Sequence, residues 1–207
     1  VTGGLAFASI SAGELHTCAL TAAGKAYCWG LNHESRLGLG WAGRPEPFFW
    51  HRSEPTAVAG DLRFTLISAG GEHTCGVATD GTAYCWGFNQ RYQLGDGTYG
   101  TRGEPVPISS ELTFKAVSAG TDHTCAVATD GAAYCWGIGE DGVLGNGGTT
   151  TTSTPIAVSG GIDFVSMTGG AQHTCGLATS GAAYCWGLNE NGGTLGDGTE
   201  RNSRTPV

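Results

Sequence analysis

Lysine appears only twice in 207 residues, at Lys25 and Lys115, and methionine only once. Ten basic residues stand against eighteen acidic ones, for a formal charge of −8. A chain so poor in lysine offers no stripe that could track phosphates, so nucleic acid is not an expected partner. No apolar run approaches the roughly 20 residues that a membrane-spanning helix needs, and membrane insertion is not expected. No segment sustains a helical period, and 37 glycines would penalise helix throughout. Asn-x-Ser/Thr acceptors are missing, as are a nucleophile elbow, a phosphate loop and a metalloprotease helix. The chain reads as a non-enzyme, with no catalytic residue, metal or cofactor expected. Val1 does not open a signal peptide, so an export signal would have been removed or would lie outside this sequence.

What the chain does have, it has four times. Aligned on histidine, the copies read "ELHTCALTAAGKAYCWG" at 14–30, "EHTCGVATDGTAYCWG" at 72–87, "DHTCAVATDGAAYCWG" at 122–137 and "QHTCGLATSGAAYCWG" at 172–187. His16, His73, His123 and His173 are spaced by 57, 50 and 50 residues, as are Phe7, Phe64, Phe114 and Phe164. The unit is therefore about 50 residues long, and the first copy carries seven more. Each unit reads as short β segments, such as "LRFTLISAG", "HTCGVAT", "TAYCWGF" and "EPVPIS", with a glycine-rich loop before the last. Four short strands per unit describe one blade of a propeller. The expected fold is all-β, a β-propeller domain with blades at about 5–61, 62–111, 112–161 and 162–207. It is either a closed four-bladed ring or four blades of a larger or assembled propeller.

In the central hairpin, a three-residue loop at Thr79-Asp80-Gly81 sets Cys75 opposite Cys85 and Gly76 opposite Tyr84, whose ring then covers the glycine. All eight cysteines follow this rule, pairing Cys18 with Cys28, Cys75 with Cys85, Cys125 with Cys135 and Cys175 with Cys185. Facing positions on antiparallel strands can meet disulfide geometry, and an eleven-residue ring restricts the unfolded chain by roughly 2.7 kcal/mol in the entropy model. The alternative is a metal site that adds the histidine two residues before each first cysteine, but three ligands fall one short of a closed zinc site. Four disulfides imply an oxidising compartment and an extracellular or cell-surface protein. Trp29, Trp86, Trp136 and Trp186 read as inter-blade packing, with a ligand cage as the alternative. The repeated histidines read as strand-end hydrogen-bonding groups. Glu14, Glu72, Asp122 and Gln172 read as a solvated rim, and Asp96 and Asp197 as turn residues rather than calcium ligands.

The order of a "SAG" or "TGG" turn, "HTC", "YCWG", "LGDGT" and a proline before the next unit resembles the regulator of chromosome condensation repeat, over essentially the whole chain. The resemblance implies a β-propeller, usually of seven blades in that family. Its eukaryotic founder is a nucleotide-exchange factor for a small GTPase that binds chromatin, and a β-lactamase inhibitory protein with such a propeller acts by holding another protein. No exchange-factor residue matches position by position. At the ends, Pro206-Val207 matches the start of "PIAVSGG" at 155–161 and Val1-Thr2-Gly3-Gly4 matches its end. One strand is thus divided between the termini, and a neighbouring copy that completed it would give a head-to-tail assembly or filament.

The extra seven residues fall in "WAGRPEPFFWHRSEP", 41–55, between the third and fourth strands of blade one. Trp41, Phe48, Phe49 and Trp50 supply large apolar area on a segment stiffened by Pro45 and Pro47, with Arg44, His51 and Arg52 as flanking donors. The expected function is binding of another protein or of further copies of the chain through this loop. The alternatives are a loop folded over a blade edge or into the central channel, sugar stacking in a carbohydrate-binding propeller, and catalysis through His51 with Glu46 or Glu54. The threonines of "GNGGTTTTSTP" at 145–155 offer O-linked attachment points.

Overall fold

The computed structural model describes residues 1–40, 51–190 and 192–207. Across these residues, fifteen strands form four antiparallel sheets. Blade one holds β1 (Ser9–Ala12), β2 (His16–Leu20), β3 (Ala26–Leu31) and β4 (His51–Ala57). Blade two holds β5 (Phe64–Ala69), β6 (His73–Ala78), β7 (Ala83–Gly87) and β8 (Arg102–Pro107). Blade three holds β9 (Phe114–Ala119), β10 (His123–Ala128), β11 (Ala133–Gly137) and β12 (Thr152–Ala157). Blade four holds β13 (Phe164–Gly169), β14 (His173–Ala178) and β15 (Ala183–Gly187). Its fourth position is taken by the C-terminal segment, where Ser203 bridges Gly187 and Val207 exchanges two 3.1 Å hydrogen bonds with Cys185. Strands pair in sequence order within each blade, and the first strands of neighbouring blades lie side by side as the innermost layer. Among the described residues no helix is long and apolar enough to cross a membrane.

The hairpin register is the one that the residue pattern dictates. Cys75 faces Cys85, and Gly76 faces Tyr84. Around the turn, Gly81 takes a φ of +86°, and Asp80 accepts the Thr82 amide. All four expected disulfides form: Cys18 bonds Cys28, Cys75 bonds Cys85, Cys125 bonds Cys135 and Cys175 bonds Cys185, each with its Cα atoms 4.1 Å apart. One detail differs from expectation. The space over Gly76 is filled by the Phe64 ring, 2.7 Å from where a Cβ would stand, and Tyr84 meets that ring edge-on at 6.3 Å. Phe64 arrives from β5, on the other side of β6, where a two-strand reading of the hairpin cannot see it.

The core lies between the blades, and each hydrophobic cluster draws on two of them. Cys75, Val77, Ala83, Cys85 and Leu94 of blade two pack on Phe114, Val117 and Trp136 of blade three. At the first junction Cys18, Cys28 and Leu37 pack on Phe64, Ile67 and Trp86, and the third junction repeats the arrangement. The disulfides of blades one, two and three therefore face the following blade. At the three filled junctions Cys18, Cys28, Cys75, Cys85, Cys125 and Cys135 are fully buried. Trp86, Trp136 and Trp186 are buried at 0 % exposure, which bears out their packing role, whereas Trp29 at the start of the arc is only partly covered.

Candidate functional site

The repeated histidines hold the blades together. His73 Nε2 lies 2.8 Å from Thr124 Oγ1, and that hydroxyl donates to the Gln93 carbonyl at 2.8 Å. With its only proton committed, the threonine oxygen must accept from the imidazole, so His73 carries its proton on Nε2. Trp136 Nε1 donates to the same Gln93 carbonyl at 2.9 Å. Histidine, threonine, carbonyl and tryptophan thus form a clasp whose members alternate between blades two and three. The same clasp joins His16, Thr74, Arg36 and Trp86. It recurs with His123, Thr174, Val143 and Trp186. Gly38, Gly95 and Gly145, all at φ between +67° and +70°, leave room for the indoles; a Cβ on Gly95 would stand 2.6 Å from Trp136 Nε1.

These imidazoles are neutral. Burial drives His73 from the ordinary 6.5 down to about 3, reinforced by His123 and His16. Burial likewise brings His16 and His123 to about 4, with Arg36 adding to the effect on His16 and His173 on His123. Each clasp histidine gives its Nε2 proton to a threonine and leaves a buried Nδ1 without a hydrogen-bond partner, while the cysteines of the metal-site alternative are committed to disulfides. Among the described residues no group of three or more His, Cys, Asp or Glu is placed to hold a metal ion. Asp96 is equally engaged. Burial alone would raise it, but bonds from Thr98 and Arg102 hold its carboxyl below the usual range. Its oxygens take Thr98 Oγ1 at 2.7 Å and Arg102 Nε at 2.7 Å, so it works as a turn residue.

On the rim, burial pushes the Asp122 carboxyl up, opposed by Arg91 and reinforced by Glu72, Glu14 and Glu140. Glu72 is drawn into blade one: it takes Arg36 Nη2 at 2.7 Å, and His33 Nδ1 stands 3.7 Å away. Arg36 is 1 % exposed, and it also donates to the carbonyls of His33 and Gly71. Sequence reasoning missed this residue, since the same position holds Gln93 and Val143 in the next two blades. It also missed the clasp threonines, for which the invariant second letter of "HTC" was the available signal.

The aromatic connection of blade one leaves from fixed points. Gly40 donates to the Gly103 carbonyl of blade two at 2.8 Å, and Ala59 donates to the Gly38 carbonyl at 2.8 Å. On the return side, His51 pairs with Leu31 and Arg52 with Gly30. Between these points lie Trp41, Arg44, Phe48, Phe49 and Trp50, together with Glu46, all outside the described residues. His51 is exposed, Arg52 is half-buried, and Arg52 Nη1 donates to the His51 carbonyl at 3.3 Å. Glu54, on the same strand, is exposed as well, so among the described residues nothing encloses His51 and Glu54 as an acid-base pair. In blade two the corresponding turn carries the Asp96–Thr98 bonds; in blade one Leu39 stands where Asp96 does and packs against the core.

Comparisons with known proteins agree with this architecture. The model of the Regulator of chromosome condensation (RCC1) repeat matches residues 23–77, 80–127 and 130–177, and a second model of the same repeat matches 7–36, 64–93, 114–143 and 164–192. Protein pim1 of Schizosaccharomyces pombe is 31% identical over 96 residues, 43% of this chain and 18% of its own. Human WBSCR16 superposes on the whole chain with a TM-score of 0.86 at 22% identity, over 53% of its own length. Yeast RCC1 (Prp20), solved bound to Kap60, does so with a TM-score of 0.82 at 21% identity, over 49% of its length. The chain thus spans about half of these solved relatives and a smaller part of pim1. Matched by the repeat models through all four blades, the chain belongs to the regulator of chromosome condensation repeat family.

Proposed function

We propose that this propeller is a non-enzymatic protein-binding module that works outside the cytosol, with the blade-one connection at 41–55 as its contact surface. The observation that carries the reading is the anchoring of that connection. It departs from Gly40, tied to blade two, and returns at His51 and Arg52 on a paired strand, so both ends of the connection are held by a fixed frame. A frame of this kind lowers the ordering cost of an interface, and Trp, Phe and Arg are well suited to hot spots. Yeast RCC1 (Prp20), similar to this chain in fold, was solved bound to another protein, Kap60. Four disulfides, three of them packed in the inter-blade core, favour secretion or surface display.

The test uses the partner captured from the extracellular fraction of the source cells and then purified. Calorimetry would compare the wild type with Trp50→Ala and with Phe48→Ala/Phe49→Ala, and circular dichroism would monitor the fold. Loss of binding by tenfold or more with the fold intact supports the reading. Unchanged affinity in both variants removes the connection from the interface.

A further inference from the structure

The place that Arg36 fills at the first blade junction is filled differently at the next two. Arg36 Nε donates to the His33 carbonyl at 3.0 Å, Nη1 to the Gly71 carbonyl at 3.2 Å and Nη2 to Glu72 Oε1 at 2.7 Å, so its guanidinium is cradled between blades one and two. At the second junction Gln93, fully buried, stands at the same repeat position. At the third the residue is Val143, whose short side chain leaves the place open. A cavity of about 30 Å³ lies there, and its lining includes Glu140, Ala171 and Gln172, the counterparts of His33, Gly71 and Glu72. Every residue that lines it falls within 122–172, between blades three and four.

The third junction also changes the charge around this place. Asp122 stands where the first junction has Leu15, Glu140 where it has His33, and Asp141 where it has Glu34. Arg36 is set against Glu72, whereas the cavity has three carboxylates and no basic side chain in its lining. Among the described residues none of the three lies within ion-pair distance of a basic group. Burial raises the Asp122 carboxyl, against the pull of Arg91 and with the push of Glu72, Glu14 and Glu140. Asp141 Oδ1 accepts from Asn202 Nδ2 at 3.2 Å, which steadies that carboxylate.

We propose that the cavity between blades three and four is a site for the guanidinium group of an arginine side chain carried by a partner protein. The incoming group would take the place that Arg36 takes from within the chain at the first junction. The Glu140 carbonyl already accepts the Val143 amide at 3.2 Å and keeps a second lone pair. With the Ala171 carbonyl and the Gln172 amide oxygen it repeats the acceptors that hold Arg36, and the carboxylates supply the countercharge. A planar fork of N–H donors suits such a set better than the compact ammonium of lysine. The small volume admits the end of one side chain and excludes a bulky ligand. The proposal rests on the reading of the chain as a protein-binding module but not on the connection at 41–55, and a small arginine probe tests the cavity apart from that connection.

The test is a titration of the 207-residue chain with N-acetyl-arginine amide, followed in ¹H–¹⁵N correlation spectra. Saturating shifts are expected at the amides of Glu140, Val143, Ala171 and Gln172. The citrulline counterpart, similar in shape but neutral, should leave them in place. Val143→Arg supplies the guanidinium from within, as Arg36 does, and should abolish the response while the fold is retained. Glu140→Gln, at an exposed position, should weaken binding by about threefold or more. Unmoved spectra, an equal response to citrulline, or a full response in both variants would overturn the proposal. Binding of free arginine without binding of the blocked amide would overturn a protein as the source of the group.

Discussion

The imidazole of His73 and the hydroxyl of Thr124, 2.8 Å apart across a blade boundary, form a bond of fixed polarity, because the threonine proton is already given to Gln93. Thr124→Val should leave a buried N–H without an acceptor and lower stability by about 1–3 kcal/mol. Thr124→Ser, which keeps the hydroxyl, should recover most of the loss. Urea unfolding of the three proteins checks this.

The neutral histidines make stability fall in acid. His16, His73 and His123 have folded values of about 4, 3 and 4, against 6.5 when exposed. Their depressed values mean that the stabilisation is complete above pH 6.5 and is lost as the pH falls towards 4, where the unfolded chain takes up protons that the folded chain refuses. The slope is about 1.4 kcal/mol per pH unit for each histidine. Urea midpoints measured from pH 7 to pH 4.5 should drop steeply below 6.5, and a flat profile over this window would contradict the assignment.

Disulfide accessibility should differ along the arc. Cys18, Cys28, Cys75 and Cys85 are fully buried, whereas Cys175 and Cys185 face the open end and are only partly covered. Mild reduction followed by alkylation and mass spectrometry should label the blade-four pair first. Loss of the blade-two pair by Cys75→Ala/Cys85→Ala should cost about 2–4 kcal/mol.

Gly95 and Gly196 share a left-handed backbone but not their surroundings. Gly95→Ala adds a clash with Trp136 to the backbone penalty and should destabilise by about 2–4 kcal/mol. Gly196→Ala should cost only the backbone penalty of about 1–2 kcal/mol. Thermal unfolding of the two variants separates the clash from the backbone penalty.

The blades, the hairpin register and the four disulfides were legible because the facing position of each cysteine is set within a single hairpin and repeated four times. The inter-blade clasp was only half legible. The histidine and tryptophan stood out as recurrent polar and aromatic positions, but their acceptor is a backbone carbonyl whose side chain varies from Arg36 to Gln93 to Val143, so no residue type marks it. Arg36 escaped notice for the same reason, since its burial depends on Glu72 of the next blade. Burial was not legible position by position: Trp29, Leu177 and Gly196 stand at the same repeat positions as buried or closely packed counterparts but differ from them in burial or contacts.

The clasp underlies the stability of the arc, and the protonation of its histidines can be read directly. Long-range ¹⁵N–¹H correlation spectra at pH 7 and pH 5 would show which ring nitrogen of His16, His73 and His123 carries the proton. The expected result is a neutral ring protonated on Nε2 for all three at both pH values. Protonation on Nδ1, or imidazolium rings at pH 5 in the folded protein, would contradict the bonding that joins one blade to the next.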